Sequence, residues 1–428
     1  MIREATAGPL VMLVLALAPA SPATAESQRN HSENLPSIVT LPQTLRLLRD
    51  RSPESKALRA RLDVVAAERM EADLYPNPSV SYGGLALAQG APVAPRWQHQ
   101  ITVEQPVLVF GQRSAKQAWA DQLLHAERAQ VEASLAEQAL LASQAFYALL
   151  AAQQRKELAE WSLRDLENFE TIVQRRTEAG DRSLYDLAKI QLETSLQRTL
   201  LQTVETERIH AVGTLAARLG FPDWRPTAQG SLEPLMLPIS KEKLREYAIR
   251  HHPTIQAARA RQASAQSSLA LARRERYPTP TVALGTLLTQ HENSTSVFLG
   301  LSVPVAVFDH GQAAVAKATA SIRAEQRQGD AELQRVFAEL DRAYQVYERH
   351  RATLASLDRQ MIEKIPVLEK MAEDSYRGGG SGIWDWLDTH RSLMGLRLLH
   401  LEQREAVKQA EVSLWAAAGM AFSAPASP

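Results

Sequence analysis

The 428-residue sequence contains no cysteine. That excludes disulfides and thiolate zinc sites, and it leaves the chain as given without a thiol for N-terminal lipid attachment. Net charge is absent as well, with 48 Lys and Arg against 48 Asp and Glu. A nucleic-acid partner needs clustered cations to release counterions, so none is expected. Aromatics make up only 6% of the chain, while Ala, Leu, Gln, Glu and Arg dominate, a composition that favours long helices. Past the N-terminus no run of about 18 apolar residues is found, so no transmembrane helix is expected. Entry into a membrane would then require a closed β-barrel. Catalytic signatures are missing too: there is no P-loop, G-x-S-x-G, H-E-x-x-H or EF-hand loop. His251, His252, His291, His390 and His400 lack metal-ligand spacing and read as scattered surface residues. Neither an enzyme, a cofactor nor a metal centre is expected.

The N-terminus carries Arg3, an apolar stretch at 10–18 (LVMLVLALA) and the small-x-small element Ala23-Thr24-Ala25. This pattern predicts a secretory signal over 1–25, too short to span a bilayer, with Glu26 opening the mature chain and a short segment at 26–40.

The rest of the sequence repeats itself. Tyr75-Pro76-Asn77-Pro78 returns as Tyr277-Pro278-Thr279-Pro280, and Pro106-Val107-Leu108-Val109-Phe110 as Pro304-Val305-Ala306-Val307-Phe308. Ala145-Phe146 answers Ala343-Tyr344; Gly180, Leu184 and Asp186 answer Gly379, Ile383 and Asp385; Leu219-Gly220 answers Ala418-Gly419. The matches fall in order at offsets of 198 to 202 residues, which is the mark of a duplication. The first repeat is set at 41–220 and the second at 240–420. A proline-rich linker or small extended segment at 221–239 joins them, and a tail follows at 421–428.

Each repeat reads as a helix (41–74 and 240–276), two strands, a long helix, a Gly-containing turn (179–183 and 378–382) and a second long helix. From Gln112 to Ala179 there is neither Pro nor Gly, room for about 100 Å of helix. Such a rod needs partners along its length, and Ala115, Ala118, Ala129, Ala139 and Ala142 suit close helix approach in antiparallel pairs. Pro366 predicts a kink. The strands are placed at 79–87, 98–107, 281–289 and 296–305. Trp97, His99, Ile101 and Val103 alternate with Gln98, Gln100, Thr102 and Glu104; in the second repeat Phe298 breaks the polar face. One apolar and one polar face suit a bilayer around an aqueous lumen. Four strands cannot close a barrel, which needs about eight or more, so three chains supplying about twelve are expected. A soluble hairpin capping a helical bundle has the same periodicity.

The duplicated order, Tyr-Pro-x-Pro before each hairpin, Pro-Val-x-Val-Phe before each long helix and Gly-x-x-x-Leu/Ile-x-Asp at each turn together resemble the TolC-like outer-membrane efflux family over about 41–420. The resemblance implies a mainly α fold with a small β part. Three chains would build an outer-membrane β-barrel, four strands each, continued by a long periplasmic α-helical barrel. Its implied partners are two further copies, outer-membrane lipid, a periplasmic adaptor and an inner-membrane pump. Phe110-Gly111-Gln112-Arg113 and Phe308-Asp309-His310-Gly311-Gln312 look most like the CzcC-type branch, which serves heavy-metal exporters of the resistance-nodulation-division class.

The same resemblance points to the tip turns. Asp186, Tyr376, Asp385 and Asp388 match a periplasmic gate, but the position of the family's gate arginine is Ser381 here. Gly180, Asp181, Arg182, Ser183 and Leu184, with Gly379, Gly380, Ser381 and Ile383, match the turns that meet an adaptor. Asp385 and Asp388 share a helix face, and threefold repetition would make acidic rings that draw cations; each is equally a solvated helix-end charge. Trp384 and Trp386 are either partner anchors or packed side chains, and Trp97 fits an interfacial aromatic girdle. Competing readings are a channel for type I protein secretion or drug efflux, and a soluble periplasmic coiled-coil scaffold.

Overall fold

The structure is a computed structural model that describes residues 35–86, 97–235, 240–289, 294–360 and 362–420. The expected signal segment 1–25, the tail 421–428 and His291 lie outside the described residues. From Ser37 onward the chain forms one compact unit.

The elements run β1 (Ile38–Val39), α1 (Leu41–Arg51), α2 (Pro53–Glu71), β2 (Ser79–Ala86), β3 (Trp97–Pro106), α3 (Gln112–Glu178) and α4 (Leu184–Leu219). After β4 (Thr227–Ala228) come α5 (Lys241–His251), α6 (Pro253–Glu275), β5 (Thr281–Thr289), β6 (Ser294–Ser302), α7 (Gln312–Gln360), a 3-10 turn at Ile362–Lys364, α8 (Ile365–Arg377) and α9 (Ile383–Ala417). The order repeats as expected, with one correction: neither first helix is continuous. Each breaks before a proline, at Ser52-Pro53 and His252-Pro253, where the preceding residue takes an extended ψ of 133° or 124°. The proline ring clashes with a helical predecessor, and Pro itself is well suited to the first helical position. The kink ascribed to Pro366 sits one turn earlier, in the 3-10 turn, with Pro366 in the first turn of α8.

α3 is 67 residues long and packs on α4, α6 and α9. Of the alanines expected at its packing face, Ala142 is buried and Ala118 is exposed. One 18-residue window in α3 reaches a mean hydropathy of 1.2, so by length and composition an apolar stretch does occur there, against expectation. Half of that window is buried, and Phe146, Leu149, Leu150 and Ala151 lie in the core, so its apolarity is used in helix packing.

Among the described residues the six positive-φ glycines fall in three equivalent pairs, Gly111 and Gly311, Gly180 and Gly379, Gly220 and Gly419, with φ between 73° and 84°. The duplication is therefore present in the backbone. Both tip turns end their helix identically: Gly180 N–H donates to Thr177 O and Asp181 N–H to Arg176 O, as Gly379 does to Tyr376 O and Gly380 to Ser375 O. This is the paired-bond helix stop that requires a left-handed residue after the last turn.

The sheet is antiparallel, ordered β2-β3-β5-β6, so β2 and β6 are its edges. Register puts Val80, Val103, Leu284 and Leu299 on one row and Tyr82, Ile101, Thr286 and Val297 on the next, all on one face. The large apolar residues of that face are exposed, including Val80, Tyr82, Ile101, Leu284 and Leu299. Ser81, Gln100, Thr102 and Glu104 share the opposite face. That face also carries Leu85, Leu287 and Phe298; Phe298 sits opposite Gly285, where an added Cβ would come 2.4 Å from its ring, so the aromatic occupies the space the glycine leaves. Trp97 ends β3 on the apolar face and is exposed, opposite Ala86.

The linker is partly built into the fold. β4 pairs in parallel with β1, and Gln153 of α3 both donates to Ala228 O (3.1 Å) and accepts from Ala228 N–H (2.8 Å). Trp224 and Leu232 are buried.

Candidate functional site

The tip end of the helices gathers most of the residues singled out from the sequence. Its core is Leu166, Phe169 and Val173 from α3, Ile190 from α4, Tyr376 from α8, and Ile383, Trp386 and Leu387 from α9. Burying one such side chain is worth about 1.5–3 kcal/mol, so this cluster holds both turns in place. Trp386 lies flat on Phe169, with ring centroids 3.5 Å apart, and Phe169 meets Tyr376 at 4.8 Å.

Tyr376 is wholly buried. The Arg182 guanidinium stands 4.7 Å above its ring and donates to its carbonyl at 3.4 Å; Arg176 donates to the Arg377 carbonyl at 2.9 Å. Those carbonyls end α8, where cations are favoured by the helix dipole and the unpaired acceptors. Burial pushes the Tyr376 hydroxyl up, partly countered by Arg182 and reinforced by Asp186. Arg176 and Arg182, from the other tip, bring cations to Tyr376. No ion pair between Asp186 and an arginine occurs among the described residues.

Asp186 sits in the first turn of α4, and its N–H donates to Ser183 Oγ at 3.2 Å, so Ser183 caps the helix. Asp385 does the reciprocal work on α9: its carboxylate accepts the Gly382 N–H at 2.9 Å. Asp385 and Asp388 are exposed. At the turns themselves, Gly180 and Gly379 have open space where a Cβ would stand, and Leu184 is exposed while its counterpart Ile383 is buried. The two tryptophans part company. Trp386 is 6% exposed and packed; Trp384 is 46% exposed, with the Lys189 ammonium 4.1 Å over its ring.

His390 corrects the sequence reading most clearly, because it is buried. Its ring stacks between Trp386 (5.2 Å) and Trp161 (6.4 Å). One nitrogen is 3.0 Å from Ser162 Oγ and the other 3.3 Å from the Asp165 carboxylate. The signal was spacing: Ile383, Trp386, Leu387 and His390 lie on one helical face. His252 is also buried and caps α6 by accepting the Thr254 N–H at 3.2 Å. His400 meets Asp358 at 2.8 Å. No group of three metal-binding side chains occurs among the described residues.

Residues 244–420 match the sequence profile of the family described as outer membrane efflux protein. The cobalt-zinc-cadmium resistance protein CzcC of Cupriavidus metallidurans is 24% identical over 85% of this chain and 86% of its own length. Through its second repeat the chain is thus similar to outer membrane efflux proteins. A second relative, the pyoverdine export outer membrane protein OpmQ of Pseudomonas putida, is 24% identical over 64% of this chain, and the match spans only 60% of OpmQ. Two solved structures share this fold: CusC, with a TM-score of 0.70 at 16% identity over 95% of this chain and all of that one, and the outer membrane protein VceC of Vibrio cholerae, with 0.68 at 16% over 89% and 96%. These similarities place the chain in the outer membrane of a Gram-negative bacterium, with a long periplasmic helical part.

Proposed function

We propose that three copies of this chain form a passive outer-membrane duct of a tripartite export system. The observation that carries this reading is the sheet: four strands with an exposed apolar face and two unpaired edges, set on long helix pairs. Lipid cannot satisfy unpaired edge groups, so the sheet must close with other copies. Native mass measurement in detergent is expected to give three chains. A stable monomer with full β content would overturn the barrel.

The substrate reading is heavy-metal cations, supported by the match along most of CzcC and by two exposed carboxylates on the first turns of α9. Threefold repetition of Asp385 and Asp388 would concentrate negative charge where the helices meet. The double variant Asp385→Asn with Asp388→Asn is expected to lose cation selectivity and multivalent-cation block in planar bilayers. Unchanged selectivity would reduce both to helix-end charges. The tip turns, 180–184 and 379–383, are the adaptor contact in this reading, with an inner-membrane pump behind the adaptor. OpmQ favours a second substrate class, an organic siderophore. Growth of a deletion strain in cobalt, zinc or cadmium, against its siderophore release, separates the two.

A further inference from the structure

Just past the end of β3 and just before the start of β5 the sheet gives way to the helices, and there the Phe110 ring stacks on Tyr277 at 5.3 Å. A cleft of about 610 Å³ opens beside that pair, a size that suits a small organic group. Val109 and Phe110, both exposed, line it with apolar surface; Ser114 and Ala115 come from α3, and Arg274 comes from the last turn of α6. Arg274 is exposed, and its guanidinium makes no ion pair or hydrogen bond among the described residues. Arg276, two residues on, is already engaged by the His310 carbonyl.

A planar guanidinium without a carboxylate, beside an exposed apolar wall, matches a ligand with an anionic oxygen head and a hydrocarbon body. Position supplies the class. β2, β3, β5 and β6 run 8 to 10 residues, enough to cross the hydrocarbon of a bilayer. The helices are periplasmic, so residues just past the strand ends lie in the phosphate layer of the periplasmic leaflet. β3 and β5 are the central strands, which sets this junction apart from the open edges of the sheet.

We propose that the cleft holds one phospholipid of the periplasmic leaflet, its phosphate on the Arg274 guanidinium and its first chain carbons along Val109 and Phe110. One site per chain follows from the repeat. Tyr277 answers Tyr75, which puts Ala72, buried and uncharged, at the position equivalent to Arg274. The repeat-equivalent junction, at Phe308, therefore lacks this cation.

The test uses the full-length protein, stripped of lipid in detergent and titrated with phosphatidylglycerol, with bound lipid counted by native mass measurement. One retained lipid per chain is expected; none would overturn the site. Arg274→Ala is expected to weaken retention about tenfold or more, the loss of one charge-assisted contact. Arg273→Ala removes the adjacent exposed cation, which does not line the cleft, and is expected to keep the lipid. Equal loss in both variants would mean diffuse attraction to a basic surface and would overturn the cleft. Ala115→Phe keeps the guanidinium but fills the space, and is expected to lose the lipid as well; full retention, with an unchanged circular dichroism spectrum, would overturn the apolar seat. Excess inorganic phosphate is expected to leave the lipid in place, because it has no chain to lay on Val109 and Phe110. Displacement by phosphate would make this a site for a free anion and overturn the lipid assignment. The count is taken per chain, so failure here leaves the three-copy duct standing.

Discussion

At positions 408 and 411 the second half of the chain buries a lysine and a glutamate; at the equivalent positions of the first half stand Ile209, exposed, and Val212, buried. The helices are repeats, so the difference comes from what leans on them. Lys408 donates to the Glu233 carbonyl at 3.1 Å and to Glu411 at 3.2 Å, and Glu411 accepts the Leu235 N–H at 3.2 Å. Segment 221–235 occurs once per chain, and of the two equivalent helices α4 and α9 it is α9 that carries a polar clamp on its backbone, beside the one Gln153 of α3 makes to Ala228. Duplicated helices here diverge where they meet an unduplicated neighbour.

The largest expected effect comes from breaking that clamp. Lys408→Met would leave Glu411 buried without its cation, a loss of about 3–5 kcal/mol. Ile209→Lys, at the matching exposed site, is expected to stay within about 0.5 kcal/mol. Thermal midpoints of the purified protein by circular dichroism check both. The pH dependence has a definite sign. Burial raises the Glu411 carboxyl above its usual range, against the pull of Lys408. Its favourable contribution is complete below the ordinary carboxylate value and is lost as pH rises through the folded one. The Lys408→Met deficit should therefore be greatest near neutral pH and shrink in acid. A deficit independent of pH would mean that lost packing, not the stranded charge, is responsible.

Turns and strands were legible because they depend on local signals: six glycines at steady offsets, and alternation of period two in β3. The breaks before Pro53 and Pro253 were written in the sequence too, but the flanking helical pattern continued across them and concealed them. His390 was legible by its spacing with Ile383 and Trp386, although the lack of metal-ligand spacing alone reads it as a surface residue; inside the fold Ser162 and Asp165 satisfy its polarity. The cations at Tyr376 were not legible. Arg176 and Arg182 come from the other repeat, about 200 residues away, and no local periodicity reports such a contact.

A second comparison separates glycines that are alike in φ but not in surroundings. At Gly379 an added Cβ meets open space; at Gly419 it would stand 2.5 Å from the His252 Cα. Both Gly379→Ala and Gly419→Ala incur the left-handed penalty of about 1–2 kcal/mol. Only Gly419→Ala adds an overlap with backbone that cannot rotate away, about 1–3 kcal/mol more. Gly220, whose Cβ would come 2.7 Å from the Pro53 ring, should resemble Gly419. Equal midpoints for the variants at 379 and 419 would show that α9 and the break at His252 can separate freely.

The smallest expected effect tests how the second long helices of the two halves hold together near the tip. Arg391 of α9 donates to the Glu193 carboxylate of α4 at 2.8 Å, and Glu193 is the less exposed partner. That hydrogen bond draws the Glu193 carboxyl below its usual range, against a burial effect that opposes it. A lowered carboxyl contributes stability above the ordinary carboxylate value and loses it as pH falls through the folded one. Arg391 is half in solvent, so screening limits the pair to less than about 1 kcal/mol. Glu193→Gln should thus lower the thermal midpoint slightly at pH 7, and the gap to the unaltered protein should close on acidification. Added salt should narrow it in the same direction. A gap that persists at low pH would assign the contribution to the shape of the side chain, and the α4–α9 contact would then be held by packing alone.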